Sequence, residues 1–461
     1  MNPAAARPPG GPQSPPASPE TPLVTQASGS SALPVAASAF AVASTGADPR
    51  LALVAGEASG DLLASLLLGG LKARWPGLRA AGIGGPKMAA QGFDAWWPQD
   101  KLAVFGYVDA LRHYREIAGI RRQLGDRLLG DGAARGRAHP HSDRPDLFIG
   151  VDAPDFNLGL EQRLKAAGVP TVHFVSPSIW AWRGGRLDTI RRSADHVLCL
   201  FPFEPALYAR VGMPATYVGH PLADHIPLDV PRTAARAQLG IADDLPLIAL
   251  LPGSRRSEIR HIAAPLLQAA ARLARERPAL RFVLPVAPGL RPLLDPLLAE
   301  HAPSLPLTLL DGQSHTALAA CDLTLIASGT ATLEAALFKR PMVIVYKLSP
   351  PSWWLMKRLS YQPWVGLPNI LLNRMDRQDG ELRVLPPGAR VTPGGSGGDF
   401  IVPELIQEAA TPEAIVREAR VWLDDPARCM QVSKRFAELH QRLRQDTAKR
   451  ASDAIAQVLG R

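Results

Sequence analysis

The stretch Asp146-Leu147-Phe148-Ile149-Gly150-Val151-Asp152-Ala153-Pro154-Asp155-Phe156-Asn157 decides the fold class. Its first six residues read as an apolar strand. Pro154 cannot donate a ladder hydrogen bond, so the strand stops there. Asp152 and Asp155 therefore fall on the loop beyond its carboxyl end, the edge where open α/β sheets bind ligands. A carboxylate held there can take a hydroxyl proton and so activate an alcohol as a nucleophile. The structural alternative is that Asp155 caps a helix starting near Asn157, since Asp favours that position.

Outward from this stretch, strands and helices alternate. Before it come a strand over Leu51–Ala55, a helix over Asp61–Arg74 and a strand over Leu78–Ile83. After it come a helix over Leu158–Ala167 and strands at Thr171–Val175, Asp195–Leu200 and Ala215–Val218. Such βα alternation predicts a doubly wound parallel sheet. A Pro-punctuated segment from Gly219 to about Arg232 reads as a connection. A second alternating half follows, with strands at Leu247–Leu251, Arg281–Val286, Leu307–Leu310, Leu323–Ile326 and Met342–Tyr346. Its helices are expected at Ile262–Arg275, Thr316–Ala320 and Ala331–Phe338. Two helical runs, Pro412–Leu423 and Ala427–Leu459, end the chain. The expected division is a Pro/Ala/Ser-rich disordered tail over 1–49, one α/β domain over 50–220 and a second over 221–461. Polar Asp131–Arg144 and Gly/Pro-rich Pro386–Asp399 read as inserts.

The 461 residues suffice for two cores, and 46% apolar content with mean hydropathy near zero reads as globular. The net charge of +9 favours anionic partners, either anionic lipid or phosphorylated substrates. Basic runs interleaved with aromatics are missing, which argues against nucleic acid. Cys199, Cys321 and Cys429 are far apart and have no metal-ligand spacing, and the histidines form no HExxH pair. Buried thiols in a reducing compartment are expected. No run reaches the roughly 18 apolar residues of a transmembrane helix.

Strand-to-helix turns carry the remaining chemistry. In Pro252-Gly253-Ser254-Arg255 the glycine admits close backbone approach, amides can cradle an oxyanion and Arg255 can fork onto a phosphate. Ser328-Gly329-Thr330-Ala331-Thr332-Leu333-Glu334 gathers hydroxyls and amides at a helix start, with Glu334 placed for ribose hydroxyls. Small residues at such turns also serve tight packing, but two in one half point to a diphosphate site. In the first half, Gly56–Asp61 brings Glu57, Ser59 and Asp61 to a similar turn, suited to sugar hydroxyls or to an N-cap. Trp180, Trp182, Arg183 and Arg186 follow another strand end, where indole faces suit sugars or acyl chains and arginines suit phosphate. A structural tryptophan pair is the alternative. Two amphipathic stretches with basic neighbours, Val104-Phe105, Val108 and Leu111, then Trp353 and Trp354, fit an anionic membrane surface or an ordinary core face.

Together these runs resemble the bacterial lipid-A-disaccharide synthases, glycosyltransferase family 19. The likeness spans Leu51 to the C-terminus and rests on Gly56–Asp61, Asp152–Asn157, Val175–Arg183, Pro252–Arg255 and Ser328–Glu334. Leu367-Pro368-Asn369 and Pro403–Gln407 complete the ordered set. The resemblance implies a GT-B architecture, two Rossmann-like domains facing a cleft, with the nucleotide on the C-terminal one. It implies inverting transfer of 2,3-diacylglucosamine from its UDP conjugate to 2,3-diacylglucosamine 1-phosphate (lipid X), without metal or cofactor, at the cytoplasmic face of the inner membrane. Asp155 is the expected base, with Asp152 in reserve. Arg255 and the Ser328–Thr332 turn would meet the leaving UDP. Glu334, Asn369 and Gln407 would contact ribose, uracil or diphosphate, and Arg183 or Arg186 the acceptor phosphate. Glu57, Ser59 and Asp61 would line the acceptor side. A monomer and a homodimer both fit this reading. Rival functions are another UDP-sugar transferase such as the muropeptide N-acetylglucosaminyltransferase, a UDP-sugar epimerase, and a non-catalytic lipid-binding protein.

Overall fold

The computed structural model describes residues 48–98, 102, 107–130, 143–180, 186–359, 363–375 and 400–460. Thirteen strands are present among them. In chain order these are β1 (Arg50–Ala55), β2 (Arg79–Gly84), β3 (Asp94–Pro98), β4 (Leu147–Val151), β5 (Thr171–Phe174), β6 (His196–Cys199) and β7 (Ala215–Tyr217). The second half adds β8 (Leu247–Leu251), β9 (Arg281–Val286), β10 (Leu307–Asp311), β11 (Leu323–Ala327), β12 (Met342–Tyr346) and β13 (Glu404–Ile406).

They form two parallel sheets, ordered β3-β2-β1-β4-β5-β6-β7 and β10-β9-β8-β11-β12-β13. Helices cover both faces, which is why strands such as Leu-Phe-Ile-Gly-Val and Leu-Ile-Ala-Leu-Leu are apolar and buried at every position. In each sheet the order reverses beside the first strand of its half, at β1/β4 and at β8/β11. A crevice opens at such a reversal, beyond the carboxyl ends of the strands. The four small-residue and acidic turns of the sequence lie at these two places, after β1, β4, β8 and β11.

Strands β3 and β13 and helices such as Tyr107–Leu129 and Arg291–His301 were not expected, and three expected helical elements have other bounds. The helix after β4 begins at Pro154, not near Leu158, because proline is pre-set for a first helical position. Its N-cap is Ala153, and no side chain caps it, so Asp155 does not serve as the cap. The helix after β8 starts at Arg256 and passes through a π-helical turn, Ile259–Ala263, before running on to Glu276. The final run is two helices, Pro426–Leu443 and Thr447–Val458, broken where Asp446 takes a left-handed φ of 54°. The break turns the last helix back onto the first half, where Asp453 pairs with Arg74 of the Ala58–Arg74 helix at 2.5 Å. The chain thus crosses between the sheets twice. Buried His220 marks the first crossing, its Nδ1 accepting the Leu222 amide at 3.2 Å. Burial pushes its pKa down to about 3, which keeps it a neutral acceptor.

Candidate active site between the two sheets

Backbone strain collects at the carboxyl ends of the strands. Asp152 and Ala153 follow β4 with φ of 51° and 43°, and Val175 follows β5 with φ of 80°. Non-glycine residues hold such angles only where surrounding contacts fix them. At Asp152 those contacts are explicit. Its amide donates to the Phe174 carbonyl at 2.9 Å, and its own carbonyl accepts Asn157 Nδ2 at 2.8 Å. Asn157 is fully buried and also reaches the carbonyls of Val54 and Val151. This brace sets the direction in which the Asp152 side chain leaves the sheet.

The two acids of the loop occupy different surroundings. Asp152 is partly buried. Burial and the neighbouring Glu57 carboxylate raise its pKa, while His173, the Ala153 amide and Arg255 pull it down. The net direction is upward, towards a carboxyl able to hold a proton. The Asp155 side chain is 81% exposed and pairs with the Arg186 guanidinium. Arg121 on the preceding long helix donates to the Asp155 carbonyl at 3.3 Å.

From the opposite sheet, the turn after β8 supplies Arg255. Its Nη2 meets Glu57 Oε2 at 2.7 Å, joining the turns at the two topological reversals. Burial works against the Arg255 charge, but Glu57 and Glu258 outweigh it and raise its pKa. Glu258 folds back over this turn, its Oε2 accepting the amides of Ser254 at 2.8 Å and Arg255 at 3.1 Å. Gly253 permits this with φ of 124°, since a Cβ there would lie 2.5 Å from the Glu258 carboxylate. An acidic oxygen therefore already sits in the amide cradle that the sequence offers to phosphate.

At the turn after β11, Gly329 and Thr330 are exposed at the start of the Thr330–Leu337 helix. Its first amides have no partners within the helix. Ser328 Oγ donates to the Val365 carbonyl at 2.7 Å and buried Thr332 Oγ1 to the Gly329 carbonyl at 2.7 Å, so both hydroxyls brace the turn. Glu334 pairs with His315 Nε2 at 3.1 Å.

The profile of the lipid-A-disaccharide synthetase family matches residues 51–379. The chain belongs to the lipid-A-disaccharide synthase family. It is 53% identical over 415 residues to the lipid-A-disaccharide synthase of Albidiferax ferrireducens, covering 89% of this chain and 97% of that one. The synthase of Verminephrobacter eiseniae is likewise 53% identical over 415 residues, with the same coverage of 89% and 97%. Among solved structures it resembles the MnaA–UDP complex of S. aureus, at TM-score 0.57 and 12% identity over 89% of this chain and 97% of that one. It also resembles a putative UDP-N-acetylglucosamine 2-epimerase of Listeria monocytogenes, at TM-score 0.55 and 12% identity over 89% and 96%. The fold is GT-B, and members of the family are glycosyltransferases.

Several residues expected at ligands have protein partners in the structure. Asp61 is buried, and its carboxylate accepts the amides of Gly85, Lys87 and Met88 at 2.9 to 3.0 Å. Trp180 is buried edge-on against Phe201 and Phe203, with its indole N–H on Glu204 at 3.0 Å. Asn369 accepts the amides of Ile401 and Val402 and donates to Glu404 and the Val402 carbonyl. Gln407, with φ of 54°, clips both backbone groups of Leu348. Ser59 lies partly buried beside Glu57. Arg183, Val104, Phe105 and the insert at 386–399 lie outside the described residues, as does residues 1–47 of the tail. Val108 and Leu111 fall in the Tyr107–Leu129 helix. Trp354 on the Pro350–Leu359 helix is 53% exposed. No helix among the described residues is long and apolar enough to cross a membrane.

The sequence reading missed Glu258, His315, Glu161 and His173. Glu258 had a local signal, an acid three residues beyond the end of the turn. The others meet their partners only through tertiary packing.

Proposed function

We propose that this family member transfers the 2,3-diacylglucosaminyl group of UDP-2,3-diacylglucosamine to the 6-hydroxyl of 2,3-diacylglucosamine 1-phosphate. The acceptor O6–C1 bond forms as the C1–O bond to UDP breaks, with inversion. The hydroxyl proton passes to an enzyme carboxylate, and UDP departs with the bonding electron pair. One observation carries the reading: acids after β1 and β4 face an arginine after β8, linked by the 2.7 Å contact of Glu57 and Arg255.

Between the two acids, the surroundings favour Asp152 as the base, reversing the order expected from sequence. A carboxylate shielded from water and raised towards the working pH accepts a proton more readily than one in free solvent. Asp155 then serves best as the partner that aims Arg186, the candidate for the acceptor phosphate. Because Glu258 fills the amides of the β8 turn, the diphosphate is best served by the Arg255 guanidinium and the amides at Gly329–Thr330. There the helix macrodipole favours negative charge. Glu334 suits ribose hydroxyls, while Asp61, Trp180, Asn369 and Gln407 act as braces for the loops around them. The half around β1–β7 would take the acceptor and the half around β8–β13 the UDP-sugar.

The exposed Trp354 and the net charge of +9 support docking on anionic lipid at the cytoplasmic face of the inner membrane, where both acylated sugars would be reached. The decisive experiment incubates pure protein with both acylated sugars. Stoichiometric UDP and β-1,6 disaccharide 1-phosphate are expected. Conversion of the UDP-sugar without acceptor would indicate an epimerase, and binding without UDP release a lipid carrier.

A further inference from the structure

Behind the Asp152 turn lies an ionisable pair that the reaction as described does not use. Glu161 on the Pro154–Ala166 helix and His173 on β5 are both fully buried, with Glu161 Oε1 2.7 Å from His173 Nδ1. Apolar strands surround them. A buried ion pair contributes little to stability compared with apolar residues of similar volume, so its presence calls for another explanation. The second atoms deepen the question. Glu161 Oε2, His173 Nε2 and Asn157 Oδ1 are all buried without a hydrogen-bond partner. Three such atoms around one turn mark a place where polarity is retained at a cost.

Their placement is specific. His173 stands opposite Gly150 in the β4–β5 register, two residues before Asp152. A Cβ on Gly150 would lie 2.0 Å from Glu161 Oε1 and 2.9 Å from Asn157 Cβ, so glycine is what lets both side chains lie across the strand. Asn157 then holds the Asp152 carbonyl, and the pair lies directly beneath the reactive loop.

We propose that Glu161 and His173 are positioning residues for the transfer, a buried pair whose imidazolium faces Asp152 and holds it as a carboxylate ready for the acceptor hydroxyl. The inference rests on Asp152 being the base. Burial opposes the charge on His173, but the charge and hydrogen bond of Glu161 and the charge of Asp152 outweigh it and raise its pKa. His173 in turn lowers Asp152, against burial and Glu57. The charged groups facing Asp152 are Glu57 after β1, His173 on β5 and Arg255 after β8, and those facing His173 are Glu161 and Asp152. Only the buried pair is closed to solvent and substrate.

The test is the pH profile of kcat/KM for the full-length protein with both acylated sugars. Glu161→Gln preserves shape but removes the charge that keeps His173 protonated. Its acid limb should move up by about one pH unit, the scale of one lost opposite charge, with UDP affinity unchanged. Should the single variant fold poorly, Glu161→Gln/His173→Gln places a neutral pair in the same space and should show the same upward shift. An unmoved acid limb in the folded variant overturns the proposal. Asp152→Asn separates the two claims: full turnover in that variant would remove the base on which the inference depends, whereas lost turnover with an unmoved limb in Glu161→Gln would sink the pair alone.

Discussion

Arg255 Nη2 lies 2.7 Å from Glu57 Oε2, so a cation after the first strand of one sheet meets an anion after the first strand of the other. The contact spans the two topological reversals, and the groups that flank it belong to the proposed chemistry. Glu57 presses on Asp152, and Arg255 is the cation that the proposed reaction assigns to the departing diphosphate.

Glu57→Gln should therefore act twice. Burial first and Glu57 second hold the Asp152 pKa up, so removing the charge lowers it. The acid limb of kcat/KM should move to lower pH. Arg255 also loses its acidic partner, and inhibition by UDP should strengthen. A limb that stays put would place Glu57 and Asp152 out of electrostatic reach.

Arg255→Ala removes a charge-assisted contact, worth about 1.5–3 kcal/mol when made to a charged group. UDP inhibition should weaken by roughly tenfold or more, a tenfold change being about 1.4 kcal/mol. Isothermal titration with UDP alone checks this. Unchanged affinity would move the diphosphate to another turn.

The two loop acids are separable by turnover. Asp152→Asn should cut kcat at least about a hundredfold, the scale of general acid–base catalysis, while UDP binding persists. Asp155→Asn releases Arg186 and should act mainly on the KM for the phosphorylated acceptor. The opposite pattern in single-turnover assays would return the base to Asp155.

Glu204 and Glu404 make stability fall as pH rises. Burial raises both to about 7 from an ordinary 4.5, against the hydrogen bonds that each accepts. Between those values the folded chain binds more protons than the unfolded chain, so unfolding free energy drops with increasing pH. Each group contributes at most about 1.4 kcal/mol per pH unit, and the loss levels off above the folded value. Buried histidines such as His220 act in the opposite sense below about pH 6.5, so the effect is read as a difference: from pH 5 to 8 the thermal midpoint of the unaltered protein should drop relative to that of Glu204→Gln. Equal pH slopes in the two proteins would contradict the raised pKa of Glu204.

Trp354→Ser should lower partitioning onto anionic vesicles yet change stability by no more than about 0.5 kcal/mol, as exposed positions usually do. Equal vesicle binding by both proteins would take this helix out of the membrane surface.

Much of the architecture is readable from local pattern. Apolar runs of strand length, Pro154 ending one of them and small residues entering helices are properties of neighbouring residues, and they point to parallel sheets and to turns at strand ends without knowledge of any distant contact. The family resemblance is local in the same sense, carried by ordered short runs. What those runs contain and where it is aimed are different matters. Asp152 and Asp155 are three residues apart and alike as acids. Only burial and the arriving Glu57 raise the first, against His173 and Arg255 from two further strands, while the second projects into solvent beside Arg186. Trp180, Asn369 and Gln407 look like ligand contacts in sequence, and in the fold their polar atoms meet Glu204, Glu404 and Leu348 from distant segments, partners that no local pattern shows. Periodicity reports which way a side chain leaves its own element. Desolvation and charge depend on which other elements arrive, and that is settled only when the chain closes on itself.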